Sequence, residues 1–99
     1  MEDDIKVILN LFNTAKFDLV ISKAKGLIKK HPEYLILYNL LGSAYQNIGN
    51  YNLAKEIFIR GNKMDPNNIA IMNNLANIYK NTGKVKLAED LFNKIIQKK

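Results

Sequence analysis

The side chains of this chain that could carry covalent or proton chemistry are few, and none has a partner at a useful spacing. The only histidine is His31, set directly before Pro32. A catalytic imidazole works within a constellation, and a metal site needs several ligands at defined spacing, yet there is no Cys and no second His. Asp3-Asp4 and Glu89-Asp90 are adjacent pairs. Neighbouring side chains diverge around a helix axis, so these carboxylates do not converge on a substrate. No glycine-rich phosphate loop follows a strand. The reading is a chain with no catalytic residues, no cofactor site and no metal ligands, expected not to be an enzyme.

What is abundant is the side-chain amide. The chain holds 14 Asn beside 14 Lys and a single Arg. An amide offers an acceptor and two donors without charge, the same complement that an extended peptide main chain presents. The net charge of +6 raises nucleic acid as a partner. The excess is concentrated at Lys80, Lys84, Lys86, Lys94, Lys98 and Lys99. With one Arg, forked recognition of phosphate or guanine is almost absent, and a solvated lysine face is the simpler reading. No apolar run approaches the roughly 18 residues of a membrane span. Met1 is followed by three acids rather than a signal sequence, and the lack of Cys fits a reducing compartment. Cytoplasmic localisation is expected, with no membrane contact.

These residues need elements to position them, and the elements repeat. Tyr38, Leu41, Gly42, Tyr45, Gly49, Tyr51, Ala54 and Phe58 recur 34 positions later as Met72, Leu75, Ala76, Tyr79, Gly83, Val85, Ala88 and Phe92. Pro32 and Pro66 share the same interval, as do Phe17 and Tyr51. Helical spacing of apolar residues predicts helices near 34–48, 51–64, 69–81 and 85–97, and less distinctly near 3–13 and 17–30. Gly49-Asn50 and Thr82-Gly83 punctuate two of the pairs, Thr14-Ala15 the other. Gly ends a helix, Asn caps the next, and Pro66 suits the start of a new helix. Gly42 and Ala54 mark close helix approach, with Tyr45 and Phe58 around it. In the first unit Ile8 and Val20 fill the small positions and Ala24 the aromatic one, so volume is redistributed.

The spacing large-x2-Leu-small-x2-Tyr, then Ala-x3-Phe, then Pro resembles the tetratricopeptide repeat over essentially the whole chain. The resemblance implies an all-α, right-handed α-solenoid of three helix-turn-helix units, 1–34, 35–68 and 69–99, forming a single domain. It also implies protein–protein interaction, with the first helix of each unit lining a concave groove for an extended peptide or partner segment. The groove positions of the family fall on Glu2, Ile5, Leu9, Phe12 and Asn13; on Ile36, Asn39, Ser43, Gln46 and Asn47; and on Ala70, Asn73, Asn77, Lys80 and Asn81. Six of these 15 are Asn, against eight among the other 84 residues, which favours a polar groove. An asparagine ladder known in the family uses unit position 6, matched here by Asn74 alone, with Lys6 and Leu40 in the other units. The cationic clamp of chaperone-tail binders is replaced by Ile5, Leu9, Ala70 and Asn74. Ile5, Leu9 and Phe12 instead form an apolar groove end.

The last helix carries Leu91, Phe92, Ile95 and Ile96 among its apolar residues, more than one neighbour is expected to cover. They are candidates for self-association, as a homodimer pairing the same helix of each copy. A third reading treats the chain as the recognition arm of a larger protein, such as a glycosyl- or sulfotransferase, by analogy alone.

Overall fold

The computed structural model describes residues 2–98. Six helices follow in order: α1 Glu2–Asn13, α2 Phe17–Lys30, α3 Leu35–Asn47, α4 Tyr51–Met64, α5 Ile69–Asn81 and α6 Val85–Lys98. There is no strand among the described residues. No described helix is long and apolar enough to cross a membrane. Each helix packs on the next, as helix-turn-helix units stacked in series do.

The turn inside each unit is the same device three times. Lys16, Asn50 and Lys84 donate their backbone N–H to the carbonyls of Leu11, Tyr45 and Tyr79, five residues back, at 2.8, 2.9 and 2.7 Å. This is the six-to-one bond of a helix ending in a left-handed residue. Gly49 and Gly83 take that conformation at φ 85° and 81°. In the first unit Ala15 takes it at φ 61°, and among the described residues it is the only non-glycine with positive φ. The hydroxyls of Thr14 and Thr82 donate to Asn10 O and Ile78 O at 2.9 and 2.8 Å, satisfying carbonyls of the ending helix. Asn50 caps α4 by accepting from Leu53 N–H, and Asn68 caps α5 by accepting from Ile71 N–H. Pro66 does not open α5. It lies in the link before it, where Asp65 Oδ1 accepts from Asn67 N–H, and the helix begins at Ile69.

One core runs through the stack. Phe58, Ile8, Leu37, Leu41, Ile71, Met72, Ile78 and Val20 are its largest fully buried side chains. A Cβ placed on Gly42 would lie 2.7 Å from Cδ1 and Cζ of Phe58, so α3 meets α4 through a glycine pressed against a ring. Carbon atoms in ordinary contact sit about 3.5–4.0 Å apart. The third unit has Ala76 and Phe92 at the matching positions, and there Phe92 is only partly buried. The first unit inverts the sizes, with Ile8 and Ala24 both buried.

Candidate functional site: the concave face

Helix contacts between units are lopsided. The backbone of α1 comes within 8 Å of α3, and that of α3 within 8 Å of α5, whereas α2 and α4, and α4 and α6, stay farther apart than that. The first helices of the units therefore form the tight inner layer, and the second helices splay on the outside. The Asn-rich positions belong to these first helices, α1, α3 and α5.

Within that layer the structure sorts the expected residues into three groups. Asn39 on α3 and Asn74 on α5 are joined: Asn74 Nδ2 donates to Asn39 Oδ1 across the unit boundary. Both are partly buried, as are Ser43, Gln46 and Asn77, while Asn73 and Lys80 are exposed. The paired amides hold each other in register and still leave the two Asn39 N–H donors and the Asn74 carbonyl available. Asn39 thus commits one lone pair of its carbonyl to a neighbouring unit. The signal for this pair was present as an interval of 35, one more than the repeat, linking position 5 of one unit to position 6 of the next.

Asn13, Asn47 and Asn81 form the second group. Each is the last residue of the first helix of its unit, and all three are exposed. Asn47 Nδ2 donates at 2.8 Å to Ser43 O on its own helix, a helix-end contact. Half of the counted Asn enrichment therefore sits at helix ends, where an amide has a local structural use. The third group is the apolar end. Ile5 and Phe12 pack against the core, and the Phe12 ring meets Phe17 edge-on at 5.3 Å between centroids. Leu9 is exposed. Phe12 is thus engaged within its own unit because the inward-facing side of α1 needs an aromatic against α2.

On α6 the expectation of a crowded exposed face is corrected. Leu91 and Ile95 are buried and Phe92 packs against the core, leaving Ile96 exposed at 68%. The other exposed apolar residues of this helix are Val85 and Leu87. A 14-residue amphipathic helix turns its three- and four-spaced residues inward, so Ala88, Leu91 and Ile95 share one face and Ile96 is carried past it. No group of three or more metal-capable side chains occurs among the described residues.

Family models for the tetratricopeptide repeat match residues 35–68 and 58–90. Together they span more than half of the chain, and the first coincides with the middle unit. The chain belongs to the tetratricopeptide-repeat family. Among solved structures, the Yersinia enterocolitica type III secretion chaperone SycD, in complex with a peptide of the translocator YopD, is similar at a TM-score of 0.92. The identity is 19%, over 97% of this chain and 73% of that one. MamA from Desulfovibrio magneticus RS-1 is similar at a TM-score of 0.89 and 19% identity, over 95% of this chain and 53% of that one. This chain spans about half the length of the MamA chains it matches. At such identities the likeness is one of fold. A search of curated protein sequences finds no match.

Proposed function

We propose that the concave face of α1, α3 and α5 holds an extended segment of a partner protein, gripping its main chain through the amides of Asn39, Asn73, Asn74 and Asn77, with Ser43, Gln46 and Lys80 alongside. The module works by binding, in the cytoplasm, and does no catalysis of its own. The observation that carries this reading is the Asn39–Asn74 pair. It joins two amides between neighbouring units and leaves donors on Asn39 and an acceptor on Asn74, the groups that a peptide unit can pair with. The SycD structure, similar in fold, was solved with a peptide of a translocator, which supports peptide capture as a use of such a fold. Exposed Leu9, beside Ile5, would receive an apolar side chain at the groove end.

The test is to select displayed peptides on the wild-type chain and titrate them against Asn73→Ala/Asn77→Ala. Two lost neutral hydrogen bonds correspond to roughly fivefold to a hundredfold weaker binding at unchanged helicity. N-methylation of the bound peptide's backbone should weaken it more than truncating its side chains. Equal affinity for both proteins would move recognition off the concave face. A second reading, self-association, draws on exposed Val85, Leu87 and Ile96 on α6. It predicts association that strengthens with salt, because lysines on the same helix repel at low ionic strength. Sedimentation of the 99-residue chain at two salt concentrations decides it, and a monomer in both excludes it.

A further inference from the structure

The convex side holds a second recess that the concave reading does not use. α2 and α4 both pack on α3 with their backbones more than 8 Å apart, and a cleft of about 280 Å³ lies between them. It is lined by buried Ile28, Leu41, Tyr45 and Ile57 and by exposed Lys25, Lys29 and Arg60. No carboxylate lines it. Arg60 is the only arginine of the chain. Its guanidinium lies 5.2 Å from the centroid of the Tyr38 ring, and the Tyr38 hydroxyl donates to Pro32 O at 2.8 Å. The guanidinium therefore lies in cation–π range over a ring that is itself tethered to the preceding loop. Among the described residues Arg60 makes no ion pair, although Glu56 lies one turn back on α4. A guanidinium held over a ring gives up little freedom when it takes a carboxylate, and its fork matches the two oxygens.

We infer that this convex cleft docks a second kind of segment: an acidic peptide in which one large apolar side chain is flanked by carboxylates. The apolar side chain enters between Ile28, Leu41, Tyr45 and Ile57. One carboxylate takes the Arg60 fork, and its neighbours meet Lys25 and Lys29. The volume suits a single anchor, since pockets that enclose whole small ligands run from roughly 300 to 1,000 Å³. Three cations beside apolar side chains suit a peptide better than a nucleic acid, which needs a cationic track along its phosphates.

The probe is a short labelled peptide with the core Asp-Glu-Phe-Glu-Asp, read by fluorescence anisotropy at about 0.15 M salt, where distant charges are screened. The same peptide with Ser in place of Phe, and an oligonucleotide of equal charge, are the other arms. Binding is expected for the Phe peptide and lost with Ser. Lys29→Glu and Arg60→Ala should each weaken it about tenfold or more. Lys84→Glu and Lys98→Glu, equal in charge change to Lys29→Glu but on other parts of the surface, should leave it nearly unchanged. Arg60→Lys keeps the charge and loses the fork, so it should recover only part of the affinity. Should Arg60→Ala lower the melting temperature through its lost contact with Tyr38, the exposed Lys29→Glu carries the comparison. Equal binding of the Ser peptide, equal loss with the remote lysines, preference for the oligonucleotide, or no binding would each overturn the inference. Substitutions on the concave face should not change this binding, which keeps the two sites separable.

Discussion

The same substitution should have opposite signs at two glycines of this chain. Gly26 sits mid-helix in α2, exposed, and a Cβ there meets nothing within 4 Å. Gly26→Ala should therefore stabilise by the helix propensity alone, about 0.5–1 kcal/mol. Gly42→Ala gains the same propensity in α3. Its new methyl, however, would lie 2.7 Å from two atoms of Phe58 and nearer still to Cε1. Phe58 is fully buried, so its ring has no exit to solvent, and either the ring or the α3–α4 spacing must yield. Overpacking of this kind costs about 1–3 kcal/mol. The propensity gains cancel when the two mutants are compared, so the difference between them isolates the overpacking cost. At roughly 4–8 °C per kcal/mol for a domain of this size, the two melting temperatures should separate by about 4–24 °C, followed by far-ultraviolet circular dichroism. Urea midpoints should move in the same order with unchanged slopes. Phe58→Leu should cost less in the Gly42→Ala background than in the wild type, because the smaller side chain makes room for the methyl. If Gly42→Ala melts at or above Gly26→Ala, the close contact of α3 with α4 is refuted, and the repeat packing argued from it fails.

Ala15→Gly should stabilise by roughly 0.5–1 kcal/mol, because Ala15 holds a left-handed conformation that costs an L-residue about 1–2 kcal/mol, partly offset by the greater entropy of unfolded glycine. A fall in melting temperature would contradict it. Asn50→Ala and Asn68→Ala each remove a helix cap and should each cost about 0.5–2 kcal/mol in urea denaturation, with no loss expected at exposed Asn52 as the control. For the Asn39–Asn74 bond, a double-mutant cycle should give a coupling of about 0.5–1.5 kcal/mol, with either single alanine costing more than its share because the remaining amide is left half-buried without its partner. A coupling near zero would mean that the amides are not joined in solution.

The six helices and their breaks were legible in the sequence because they depend on local chemistry. Apolar spacing fixed the faces, Gly49 and Gly83 supplied left-handed helix ends, and Asn50 supplied a cap. Gly42 opposite Phe58 was legible too, since a repeat interval aligns small and large positions without knowledge of coordinates. The least distinct unit was the first, where Ala15 stands in the glycine place and Ile8 and Ala24 exchange the sizes. There the repeat geometry overrides the residue preference: the turn bonds of the other two units are reproduced, and the chain accepts a strained alanine.

What the sequence determined by itself is the set of helices and the breaks between them, because helical periodicity and capping act within a few residues. Only the tertiary structure decided which members of a layer are already spoken for. Asn39 and Asn74 spend an acceptor and a donor on each other, Phe12 turns to Phe17, and Leu91 and Ile95 go inward while Ile96 stays in solvent. The cleft lined by Ile28, Leu41, Tyr45 and Ile57 likewise exists only because α2 and α4 pack on α3 with their backbones more than 8 Å apart. Those outcomes depend on distances between residues far apart in the chain, and helix curvature and packing set such distances, not any local preference.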